Sequence, residues 1–113
     1  MAWIEAEHGG RLDKAVRLAQ VAEEQMPQDP SVADTLGWIY YKMNMFSRAV
    51  TYGEESRAKA GDNPEVRYHL GMAYFKSGKP EAAAAELKQA LELSGTFAGA
   101  EEAKQTLGEI GKR

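Results

Sequence analysis

The chain repeats itself with a period of 34 residues. Pro30 is matched by Pro64, Leu36 by Leu70, Gly37 by Gly71, Tyr40 by Tyr74 and Lys42 by Lys76. Tyr41 falls on Phe75, and Asp29 on Asn63. Three copies align at Gly10, Asn44 and Gly78, at Ala15, Ala49 and Ala83, at Ala22, Ser56 and Ala90, and at Pro27, Gly61 and Gly95. Turn formers, small residues and helix breakers all keep the same phase. Such a period confines the chain to repeat architectures, in which one unit cannot bury its apolar face alone and stacks on its neighbours.

The punctuation inside each period is helical. Asp29-Pro30 and Asn63-Pro64 each pair an N-cap residue with a proline at the first helical position. A helix then runs to about Asn44 in one copy and Gly78 in the next, where Asn and Gly can take the left-handed conformation that ends a helix. A second helix follows in each copy, starting at Pro80 in the third, and Gly61 and Gly95 stop it. Gly37, Gly71, Ala15, Ala49 and Ala83 are small, so the two antiparallel helices can approach closely, with Tyr40 and Tyr74 filling the remaining space.

Leu36-Gly37-x-x-Tyr40 followed by Ala49, and Leu70-Gly71-x-x-Tyr74 followed by Ala83, resemble the tetratricopeptide repeat. Two departures stand out. Ala33 and Arg67 replace the early Trp of that pattern, and Ala19, Gly53 and Leu87 replace the large aromatic of the second helix. The resemblance implies an all-α fold of antiparallel helix-turn-helix units stacked as a right-handed superhelix. It divides the chain into a partial first repeat (1–28), a second (29–62), a third (63–96) and a capping helix (97–113). Trp3-Ile4 resembles Trp38-Ile39 at a spacing of 35, which puts a turn at Gly9-Gly10 and makes the first helix short, as if cut from a longer array. Ala98 to Ile110 reads as the capping helix, with Ala100, Ala103, Leu107 and Ile110 on one stripe.

Composition narrows function. The 113 residues suffice for one domain. The formal net charge of -3 argues against nucleic acid as a partner. There is no cysteine, so disulfides and thiolate metal sites are excluded. No stretch has the roughly 20 apolar residues of a membrane span, and the N-terminus lacks the features of a signal peptide. No cofactor motif, nucleophile elbow or phosphate-cradling loop occurs. His8 lies beside Glu5 and Glu7, but Glu7, its direct neighbour, points away on a helix, and a metal site needs a third or fourth convergent ligand.

Each first helix has a second face, away from its partner helix. In the second repeat this face carries Ser31, Asp34, Thr35, Trp38, Tyr41 and Lys42. In the third it carries Glu65, Tyr68, His69, Met72, Phe75 and Lys76. The resemblance implies that it lines a concave groove. Trp38, Tyr41, Tyr68, Met72 and Phe75 would form an aromatic floor, with Lys42 and Lys76 on one rim and Asp34 and Glu65 nearer the other. His69 would be a polar contact there. A competing reading has Trp38 and Tyr41 packing on the next repeat's first helix. The Lys, Asn and Arg set by which some members bind a C-terminal carboxylate is missing: Asp34, Thr35, Trp38, Glu65 and His69 stand in those places.

Two functions follow. The first is a scaffold that holds a protein or peptide partner in the groove, without catalysis. The second is self-association, a homodimer formed over a poorly covered Trp3 and Ile4 at the open end. The phrasing of Ala2-Trp3-Ile4, of Gly9-Gly10-Arg11-Leu12-Asp13-Lys14-Ala15 and of Asp34-Thr35-Leu36-Gly37-Trp38 also resembles C-terminal repeats of bacterial proteins associated with exopolysaccharide and surface-protein export. That implies a bacterial origin and an envelope location. It leaves the compartment, cytoplasmic or periplasmic, open.

Overall fold

A computed structural model describes the backbone of residues 2–112 and the side chains of residues 11–112. Six helices are present among the described residues, and no strand. They are α1 (Ala2–Gln25), α2 (Pro30–Lys42), α3 (Phe46–Ala60), α4 (Pro64–Lys76), α5 (Pro80–Leu93) and α6 (Ala100–Gly111). α2 packs on α3, and α4 on α5, as helix-turn-helix pairs. α1 packs on α2, α3 on α4 and α5 on α6, which joins successive units. α2 also touches α4, and α4 touches α6. The first helices of successive units therefore stand side by side and form a continuous wall.

The helix boundaries follow from the residues that were expected to set them. The Ser31 backbone N–H donates to the Asp29 carboxylate at 2.8 Å, and the Glu65 N–H donates to the Asn63 amide oxygen at 2.9 Å. Pro30, Pro64 and Pro80 open α2, α4 and α5. Asn44 and Gly78 have φ of 63° and 81° and turn the chain from α2 to α3 and from α4 to α5. A left-handed backbone here frees the chain to reverse within three residues.

One expected turn is not formed. α1 is continuous through Gly9 and Gly10. A turn there would leave residues 2–8 as a separate helix of about two turns, too short to be stable in water. Keeping the i to i−4 hydrogen bonds through two glycines costs roughly 1 kcal/mol each and avoids that penalty. Trp3, Ile4 and His8 lie outside the residues whose side chains are described.

The core is layered between the units. Leu36, Leu70 and Leu87 are fully buried, each stabilising the fold by roughly 1.5–3 kcal/mol. A Cβ at Gly71 would sit 2.7 Å from Leu87 Cδ2, and one at Gly53 would sit 2.9 Å from Leu70 Cδ1. The departures from the repeat pattern are thus complementary. Where α3 has Gly53, Leu70 of α4 fills the space, and where α5 has Leu87, Gly71 of α4 makes room. Arg67 has a different task. Its Nε donates to the Gly61 carbonyl at 2.7 Å, and its guanidinium shares the buried Glu86 carboxylate with Arg57. That cluster ties α3, α4 and α5 together.

Candidate functional site

The wall of first helices presents the residues expected to line a groove. Trp38 of α2 sits at its centre. Its ring stacks on Tyr41 at 4.5 Å and 9°, and on His69 of α4 at 4.0 Å and 22°. It also tilts against Tyr68 at 5.6 Å. His69 Nδ1 lies 2.8 Å from the Asp34 carboxylate, with both side chains 19% exposed. Tyr41 makes an edge contact with Phe46 of α3 at 5.6 Å. Asp34, Trp38, Tyr41, His69 and Phe75 are partly buried, and Lys42 and Lys76 are exposed. Trp38 and Tyr41 thus pack toward α4, as one of the two sequence readings has it. The rings keep some surface.

Tyr68 and Met72 do not lie on an open floor. They are only 7% and 3% exposed, because α6 covers them. The Tyr68 hydroxyl donates to the Glu102 carboxylate, and the Thr106 hydroxyl lies 3.6 Å from Met72 Sδ. Ala103 is fully buried against them. The 34-residue period puts Tyr68 and Met72 at the positions of Asp34 and Trp38, so α6 meets α4 as α4 meets α2. Burial, reinforced by Glu102, pushes the Tyr68 phenol well above its ordinary value. The Tyr41 phenol is raised by burial too, and by the same carboxylate.

A cleft of about 610 Å³ opens at the C-terminal ends of α2 and α4, lined by Arg11, Leu12, Tyr41, Lys42, Asn44, Phe46 and Lys76. Tyr41, Lys42 and Lys76 are among the candidate site residues singled out from the sequence. Arg11, Leu12, Asn44 and Phe46 are not. The period contained the signal: Leu12 and Phe46 are 34 residues apart, as are Lys42 and Lys76, so equivalent positions of successive units meet at one edge. No cluster of His, Asp and Glu able to hold a metal ion occurs among the described residues. Among them, no helix is long and apolar enough to cross a membrane.

A family model described as the tetratricopeptide repeat matches residues 40–95. The chain belongs to the tetratricopeptide repeat family. Among curated protein sequences none matches it. Solved structures share the fold at low identity. The first repeat domain of Spaghetti (RPAP3), bound to an HSP90 peptide, superposes with a TM-score of 0.83 at 20% identity, over 96% of this chain and 83% of that one. PcrH in complex with the chaperone-binding region of PopD gives 0.79 at 16%, over 97% and 86%. The Sgt2 repeat domain from Aspergillus fumigatus gives 0.82 at 18%, over 96% and 71%. At these identities the likeness is one of fold.

Proposed function

We propose that this tetratricopeptide repeat module is a protein-interaction scaffold that holds an extended or helical segment of a partner protein on the α2–α4 wall, and that it catalyses nothing itself. The observation that carries the reading is the aromatic strip from Phe46 through Tyr41 and Trp38 to His69, kept partly open rather than closed over. Partly exposed aromatic surface is costly in water and characteristic of interfaces. Two of the structures that share the fold are complexes with a peptide or a binding region of another protein, which supports the same use here. Asp34, Trp38, Tyr41, Lys42, His69, Phe75 and Lys76 form the proposed contact surface, with Tyr68 and Met72 supporting it from beneath α6.

The test is selection from a library of random peptides on the immobilised protein, followed by binding of the selected peptides to a Trp38→Ala, Phe75→Ala variant. Affinities in the micromolar range, about -8 kcal/mol, are expected for the native protein. The variant should lose at least roughly tenfold, or about 1.4 kcal/mol, while retaining its helical circular dichroism. Undiminished binding by a folded variant would remove the groove from consideration.

A second reading, self-association, is favoured by a different surface. Leu18, Val21 and Met26 of α1 are 68%, 51% and 49% exposed. Next to them an apolar cleft of about 210 Å³ is lined by Ala19, Ala22, Ser31, Val32 and Thr35. Leu18 is the counterpart of Tyr52, which α3 turns toward α2. No described helix covers Leu18.

A further inference from the structure

The cleft at the C-terminal ends of α2 and α4 carries three cations, Arg11, Lys42 and Lys76, and the described residues that line it include no carboxylate. Among the described residues none of the three takes part in an ion pair. This is unusual on a chain with a formal net charge of -3, where acidic residues are plentiful enough to neutralise a basic rim. The opposite ends of the same helices are acidic, with Asp34 in the second turn of α2 and Glu65 in the first of α4. Glu102, the carboxylate that acts on Tyr41, is held by the Tyr68 hydroxyl and does not line the cleft. A lysine in the last turn complements the helix dipole, and that explains Lys42 and Lys76 one by one. It does not explain why Arg11 of α1 lines the same cleft, nor why apolar Leu12, Tyr41 and Phe46 line it beside the charges.

We infer that this cleft selects the partner: it receives an acidic segment of a protein in which Asp or Glu side chains alternate with apolar or aromatic ones. The inference rests on the scaffold reading and names the chemistry of its partner. The carboxylates would meet Arg11, Lys42 and Lys76, and the apolar side chains would fill the space between Leu12, Tyr41 and Phe46. Three converging cations in a concavity focus the potential and steer an anionic segment inward. A nucleic acid or polyphosphate is disfavoured, because the net negative charge of the chain repels it. The segment is also oriented, its acidic part at the C-terminal ends of α2 and α4 and away from Asp34 and Glu65.

The experiment is the random-peptide selection run in parallel on the native protein and on a Lys42→Glu, Lys76→Glu variant, with sequences recovered from both. Both lysines are exposed, so the fold is expected to survive. A Lys42→Gln, Lys76→Gln variant serves as a milder substitute should the reversed charges unsettle the helix ends. The native protein should enrich peptides rich in Asp and Glu next to apolar residues, and charge reversal should abolish or invert that bias. Individual acidic peptides should bind the reversed variant at least roughly tenfold more weakly, and binding to the native protein should weaken as salt is raised. Acidic peptides retained equally by both proteins would overturn the inference. Binders without acidic bias that are lost in the Trp38→Ala, Phe75→Ala variant would also overturn it and leave the groove standing. A selection that recovers no binder at all would overturn both.

Discussion

Tyr74 shows how a single side chain of this fold couples packing to charge. It is 7% exposed, and its hydroxyl donates to the Glu54 carboxylate at 2.5 Å. Burial and that bond, with the Glu54 charge beside it, push its phenol from 10.0 up to about 12. The protonated form is the one the fold stabilises. In the unfolded chain the proton leaves near the ordinary value, so between about pH 10 and 12 the unfolded state binds fewer protons and stability falls as pH rises. The contribution is complete below about pH 10. Tyr74→Phe should cost about 1 kcal/mol at neutral pH and make the alkaline decline shallower. Tyr68 keeps part of that decline in the variant, since its phenol is also raised. Urea unfolding at neutral pH and near pH 11 measures both effects. Parallel declines in the two proteins would mean that Tyr74 ionises no later in the fold than out of it.

At the scale of the element, α6 decides how much of α4 is left exposed. It lies where another first helix would lie, and it converts Tyr68 and Met72 from surface into core. Its seat depends on Gly99, at which any Cβ would overlap the Tyr68 ring. The ring cannot yield, because its hydroxyl is held by Glu102 and its edge by Phe97 at 5.6 Å. Gly99→Ala should therefore cost roughly 1–3 kcal/mol, felt first in α6. Amide hydrogen exchange should show α6 opening with α2 to α5 still protected. Uniform exchange across all the helices would mean that α6 melts only with the whole domain, and that its seat is not a separate weak point. The helix itself was legible from the Ala100, Ala103, Leu107 and Ile110 stripe. What it would cover was not, because a stripe shows that a face is buried without showing against what.

For the whole molecule, the period carried most of the architecture. Caps, prolines and the Asn44 and Gly78 turns are local rules that act within a few residues, so α2 to α5 could be placed from the sequence. Tertiary pairings were hidden: Gly53 under Leu70 between units, Leu87 under Gly71 within one, and Arg11 in one cleft with Lys42 and Lys76 all depend on packing. Gly9-Gly10 misled because glycine signals a turn only when both sides can support helices of their own. The same stacking leaves the outward stripe of α1 without cover from the described residues, and this gives the molecule-scale prediction. Successive units bury the face bearing Tyr52 against a neighbouring first helix, whereas the equivalent face bearing Leu18 is open. At 1.5 Å per residue α1 is about 36 Å long, enough for two copies to lie antiparallel and approach the roughly 1,200 Å² that a stable interface buries. If that stripe is a self-association surface, light scattering coupled to size exclusion should give twice 12.4 kDa at high concentration and the monomer on dilution. Leu18→Lys with Val21→Glu should hold the protein monomeric without loss of helix, since both side chains are already exposed. A native protein that stays monomeric at every concentration would leave the α1 stripe without a self-association role. A dimer that survives the double substitution would place the contact elsewhere, and the α2–α4 groove would be the next surface to test.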